Sequence, residues 1–86
     1  MSEKYILYVR TDCPFCVKAI SLLKEKKEVF SVLDLKSRPK VLRELKDIYE
    51  WQTVPMIFEK TDGNVIKFIG GYTDLIKRLD GETSHV

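Results

Sequence analysis

Cysteine is scarce in this 86-residue chain: there are two, Cys13 and Cys16, and the single histidine is His85 near the end. A structural zinc ordinarily takes four Cys or His ligands, so two lone cysteines argue against an intrachain metal site. A permanent disulfide across so short a loop constrains the unfolded chain little, and it is unusual in a reducing compartment. No apolar run approaches the ~20 residues of a membrane helix. Met1-Ser2-Glu3-Lys4 has neither the apolar stretch nor the cleavage site of a secretory signal. Neither sign of charge dominates: Lys and Arg number 15 against 13 Asp and Glu, a formal +2, too slight to imply nucleic acid. Repeats and low-complexity segments are missing too. The remaining composition, 44% hydrophobic and 33% charged, suits one ordinary soluble domain over residues 1–86, with 81–86 as a loose tail. The expected setting is the cytoplasm or an equivalent reducing compartment, and the expected state is a monomer without metal.

What is present is concentrated in Cys13-Pro14-Phe15-Cys16. Ahead of it, Tyr5-Ile6-Leu7-Tyr8-Val9 is an aromatic and β-branched run of strand length. Behind it, Val17, Ile20 and Leu23, with Ala19, recur at helical spacing among Lys18, Ser21, Lys24 and Glu25, predicting a helix from about Pro14 to Lys27. Cys13 then stands at a helix start, and Pro14 suits the first turn because its missing N–H has no helical partner to lose. A thiolate, not a thiol, attacks a disulfide. At a helix start the Cys13 sulfur is expected to face the unpaired N–H groups of Phe15 and Cys16 and the positive end of the dipole. The dipole contributes only roughly 0.3–1 kcal/mol. Direct N–H···S and Cys16 S–H···S contacts, helped by Arg10 and Lys18, are expected to supply the rest. Cys16, inside the first turn and more covered, is expected to stay protonated. That asymmetry makes Cys13 the nucleophile and Cys16 the resolving thiol.

Farther along, Val29–Leu35 reads as a second strand, and two strands flanking a helix form a parallel βαβ unit. Ser37-Arg38-Pro39 marks a helix start with Ser37 as candidate cap; Val41, Leu42, Leu45, Ile48 and Tyr49 form its apolar stripe. Met56–Lys60 and Asn64–Ile69 are strands joined across Asp62-Gly63, a strong hairpin signal. Gly70-Gly71 breaks the chain, Thr73 or Asp74 can cap a last helix carrying Leu75, Ile76 and Leu79, and Asp80-Gly81 is its expected end. The predicted order is β-α-β-α-β-β-α, an α/β fold with a four-stranded mixed sheet flanked by helices.

This order, together with Cys13-Pro14-Phe15-Cys16, Thr53-Val54-Pro55 and Gly70-Gly71-Tyr72-Thr73-Asp74, resembles the dithiol glutaredoxins over nearly the whole chain. The resemblance implies a thioredoxin-like fold and glutathione as co-substrate, with no tightly bound cofactor. It also implies a cis bond before Pro55, beside the active-site cysteines. Such a turn offers the Val54 backbone to an extended peptide, as a strand would. The γ-glutamyl carboxylate suits the N–H groups of Thr73 and Asp74 at a helix start, the Asp74 side chain suits the ammonium, and Gly71 lets backbone approach closely. Arg10, where the family commonly has Lys, is expected to pair with the glycyl carboxylate, assisted by Gln52 or Lys18. Thr53 shapes the turn. Pro14, Phe15 (where the family usually has Tyr) and Tyr72 shape the surroundings of the thiols. Trp51 stands where many relatives carry a polar side chain.

The implied activity is reduction of glutathionylated or disulfide-bonded proteins, ribonucleotide reductase among the candidate partners. Two rivals stay open: a thioredoxin-like hydrogen donor to ribonucleotide reductase recharged by a flavoenzyme, and an iron–sulfur carrier in which two chains share a cluster through Cys13 and two glutathiones.

Overall fold

The computed structural model describes residues 3–10, 12–61, 63 and 65–83. Its elements are β1 (Tyr5–Val9), α1 (Pro14–Glu25), β2 (Phe30–Asp34), α2 (Pro39–Tyr49), β3 (Met56–Thr61), β4 (Val65–Gly70) and α3 (Tyr72–Thr83), in the expected order. The four strands form one sheet in the order β2-β1-β3-β4. β1 runs parallel to β2, from Tyr5 beside Phe30 to Val9 beside Asp34, and antiparallel to β3. β3 and β4 pair antiparallel from Thr61 beside Val65, with a register irregularity at Ile57/Phe58. The hairpin is therefore formed, although Asp62 and Asn64 lie outside the described residues.

Side chains alternate across a strand, and that alternation divides the core. Tyr5, Leu7, Val9 and Ile57 join Cys16, Ala19 and Leu23 of α1 and Leu75 and Leu79 of α3 on one face. On the other face, Met56 and Phe58 pack with Leu35 and Leu42, and Ile6, Tyr8, Leu45, Trp51 and Phe68 close around them. Tyr49 lays its ring against Phe58 and Phe68, with centroids at 5.0 and 5.2 Å.

Several local expectations need correction. The α1 stripe begins at Cys16, not Val17: successive helix residues turn by about 100°, so burying Cys16, Ala19 and Leu23 leaves Val17 exposed. In α2, Val41 is exposed and Ile48 is 70% exposed, because Leu42, Leu45 and Tyr49 occupy the sheet-facing side. Ser37 does not cap α2. The Arg38 N–H closes a turn onto the Leu35 carbonyl at 3.0 Å, which makes Arg38 the flanking residue, without a side-chain cap. α3 starts at Tyr72, with Gly71 as its cap position, and continues past Gly81 to Thr83. Residues 84–86, including His85, lie outside the described residues.

The alternation also places Glu59 on the core face, 2% exposed, where Arg78 of α3 holds it through Nη2 at 2.6 Å and Nε at 3.2 Å. Removing one partner of a buried pair costs roughly 3–5 kcal/mol. Arg78 itself is about half exposed, so Arg78→Met is expected to lower unfolding free energy by about 2–3 kcal/mol. Urea denaturation checks this; an unchanged midpoint would show that the pair contributes nothing.

Candidate active site

The turn between β1 and α1 builds the thiol pair. The Cys13 N–H donates to the Arg10 carbonyl at 3.2 Å, while the Cys13 carbonyl accepts the N–H groups of Cys16 (3.1 Å) and Val17 (3.2 Å). Cys13 thus caps α1 with extended backbone (φ −102°, ψ 116°), and Pro14 occupies the first turn. The pair is asymmetric, as expected. Cys13 is partly exposed, whereas Cys16, one turn along, is 1% exposed; both are free thiols. Burial pushes the Cys16 thiol up from 9.0 to about 12; a hydrogen bond from the Arg10 backbone opposes the rise, and the Cys13 thiol and charge add to it.

One expectation about Cys13 fails. Its side chain makes no capping hydrogen bond, so the predicted N–H···S contacts from Phe15 and Cys16 are not formed. The Sγ atom lies 3.5 Å from the Val54 carbonyl instead. A sulfur turned toward the Thr53-Val54-Pro55 turn is not aimed at the N–H groups of its own helix. The same contact brings the thiol against the Thr53-Val54-Pro55 turn, 41 residues away in sequence. The Val54–Pro55 bond is cis.

Beyond that turn is a groove of about 260 Å³. Phe15, Thr53, Val54 and Pro55 line one part of it, and Gly71, Tyr72, Thr73 and Asp74 another. α3 begins at Tyr72, so the Thr73 and Asp74 N–H groups belong to its first turn, where helical N–H groups lack intrahelical partners. The Asp74 side chain is partly committed: Oδ2 accepts the Gly71 N–H at 2.9 Å, bracing the helix start. Gly70, at φ 119°, has a backbone that side chains rarely adopt, and an added Cβ would run into the Asp74 carboxylate. Phe15 is 54% exposed. Its ring tilts against Tyr72 with centroids at 6.1 Å, and Lys18 Nζ sits 5.3 Å above it.

Other candidates are not brought into this groove. Gln52 and Pro14 are exposed and do not line it. Arg10 lines a separate cavity of about 300 Å³ with Lys36, Arg43 and Lys46, and its guanidinium lies 3.4 Å from the Asp12 carboxylate. Lys18 is turned to the Phe15 ring. Arg43 and Lys46 escaped sequence reasoning because an exposed cation on a helix looks like any other until the fold gives it neighbours. Trp51 does line the groove. It follows Glu50, whose left-handed backbone (φ 51°) ends α2, and its ring stands edge-on to Phe68 at 5.3 Å. Its indole N–H is buried without a hydrogen-bond partner among the described residues.

Comparison with known proteins agrees with this geometry. A glutaredoxin family model matches residues 5–66, a span that stops before Gly71–Asp74. Glutaredoxin-1 of vaccinia virus (strain Copenhagen) is 34% identical over 85 residues, covering 88% of this chain and 71% of the viral protein. The solution structure of a dithiolic glutaredoxin from Trypanosoma brucei brucei superposes with a TM-score of 0.72 at 32% identity, covering 94% of this chain and 80% of that one. Glutaredoxin from Brucella melitensis gives 0.73 at 29% identity, over 92% and 80%. Wheat glutaredoxin gives 0.80 at 25% identity, over 95% and 74%.

Proposed function

This chain belongs to the glutaredoxin family of thiol–disulfide oxidoreductases, and from that premise we propose that glutathione is its electron donor and that glutathionylated and disulfide-bonded proteins are its substrates. The observation that carries this reading is the placement of the partly exposed Cys13 against the carbonyl of Val54, a residue that lines a groove ending on the first turn of α3. Glutathione is a short extended peptide. In this reading it pairs with the Val54 backbone along Thr53-Val54-Pro55, its γ-glutamyl carboxylate takes the Thr73 and Asp74 N–H groups, and its ammonium meets Asp74. Gly71 leaves room for that approach. The glycyl carboxylate points the other way, toward Arg10, with Gln52 assisting. Pro14, Phe15 and Tyr72 hold the rim around the thiols.

The chemistry balances without a metal or a resident cofactor. The Cys13 thiolate attacks the glutathione sulfur of a protein mixed disulfide; the S–S bond breaks and the protein leaves as a thiolate, which takes up a proton. Cys13 now carries glutathione. A second glutathione thiolate attacks that glutathione sulfur, forming glutathione disulfide and freeing Cys13. With a protein disulfide, Cys13 forms the mixed disulfide to one protein sulfur, Cys16 displaces it, and two glutathiones reduce the resulting Cys13–Cys16 bond. The protein works as a monomer in a reducing compartment such as the cytoplasm.

The test is turnover of a glutathione mixed disulfide, comparing two recharging systems: glutathione with glutathione reductase, and thioredoxin reductase. Turnover is expected with glutathione alone. Turnover with the flavoenzyme alone would overturn the donor and make the protein a thioredoxin-like reductant on the same fold.

A further inference from the structure

Four cations line one cavity, and among the described residues no acid lines it with them. The cavity between the end of β1, the turn after β2 and the start of α2 is lined by Arg10, Lys36, Arg43 and Lys46, with Leu35, Pro39 and Leu42 as its apolar part. Among the described residues, Lys36, Arg43 and Lys46 have no ion-pair partner. Two acids beside it are engaged: Asp12 pairs with Arg10 at 3.4 Å, and the Asp34 carboxylate accepts the Lys36 backbone N–H at 2.9 Å. Neither lines the cavity. The helix dipole favours Lys46, which lies in the last turn of α2, but it gives no reason for Arg43 in mid-helix or for Arg10 and Lys36 outside the helix. Overall charge does not explain them either, because the whole chain carries only +2. Like charges gathered in a concave site focus a positive field on whatever enters it.

The cavity also adjoins the chemistry. Arg10 supplies a wall of it through its side chain and holds the Cys13 N–H through its carbonyl at 3.2 Å. The Leu35 N–H bonds the Val9 carbonyl at 2.8 Å, so the turn carrying Lys36 is tied to the same end of β1. Both the thiols and the cations therefore stand at the carboxyl ends of the parallel strands β1 and β2, the side on which open α/β sheets bind ligands.

We propose that this cavity receives an acidic segment of the target protein, so that preferred targets carry Asp or Glu beside the reacting cysteine. The inference rests on the reading of Cys13 as the group that meets the target disulfide. A glycyl carboxylate at Arg10 would occupy one cation and leave three, and an acidic peptide flank matches those three. A nucleic-acid backbone fits less well, since the chain as a whole carries only +2.

The test uses two glutathionylated peptides of one sequence, with two Asp or two Asn on each side of the cysteine. The readout is the ratio of their kcat/KM values with glutathione and glutathione reductase, which cancels the shared glutathione moiety. Wild-type protein is expected to prefer the acidic peptide about tenfold or more at low ionic strength. The ratio should fall toward one at about 0.5 M salt. In the R43Q/K46Q variant it should fall toward one even at low salt. A ratio near one for wild type at low salt would overturn the proposal, and so would a variant that keeps the preference. If neither peptide turns over with glutathione, the donor assignment fails separately, and the ratio is read with dithiothreitol as reductant.

Discussion

Cys13→Ser is expected to abolish every activity of this protein, a loss of about 10³-fold or more with any disulfide substrate. Nothing else in the site can take over the attack. Cys16 is 1% exposed, and burial holds its thiol near 12, so at neutral pH it offers neither access nor a thiolate. A serine hydroxyl at position 13 would keep the capping carbonyl and the Pro14 turn, since both are backbone features. The fold should survive, and circular dichroism should be unchanged while turnover vanishes. Wild-type rates in this variant would mean that the nucleophile had been assigned to the wrong residue.

Cys16→Ser is expected to split the two activities. With glutathione as the proposed donor, reduction of a glutathione mixed disulfide would need only Cys13 and a second glutathione, so its rate should change less than about threefold. Release of a protein disulfide is different. There Cys16 attacks from within the same turn, and a positioned internal nucleophile outcompetes a diffusing one by a large effective concentration. Loss of that step should slow protein-disulfide reduction by about 10²-fold at millimolar glutathione. The high Cys16 pKa does not contradict a resolving role. Two of the causes that raise it, the hydrogen bond and the charge of Cys13, disappear once Cys13 is tied in a mixed disulfide; burial remains. The thiol is then easier to ionise at the moment it is needed. A buried Ser leaves a hydroxyl seeking a partner, at a cost of roughly 1–3 kcal/mol. Cys16→Ala therefore serves as the second variant, and equal loss of both activities in each would remove the assigned role.

The thiol pair was legible because everything that makes it lies in consecutive residues. A strand run, Cys-Pro-Phe-Cys and a helical spacing specify a strand–turn–helix, and the turn sets which cysteine faces outward, while packing against β1 and α3 completes the burial of Cys16. The Asp62-Gly63 signal likewise predicted a hairpin whose strands pair in the structure. Where the reading went astray, two local answers were close in energy. Val17 and Cys16 both fit an apolar stripe at three- and four-residue spacing. Ser37 is a better cap than Arg38 by residue type, and the turn onto Leu35 overrode that preference.

By itself, then, the sequence determined the elements, their order and the chemistry of the tetrapeptide, because propensity, periodicity and capping act over a few neighbouring residues. Only the tertiary structure decided which distant groups meet: the Cys13 sulfur with the Val54 carbonyl, Glu59 with Arg78, Asp74 with the Gly71 N–H at the rim of a groove that Trp51 also lines. It alone separated Arg10 from that groove and set it among Lys36, Arg43 and Lys46. Such meetings depend on how strands register and which way each helix turns its face, and those are settled by burying apolar surface across the whole chain.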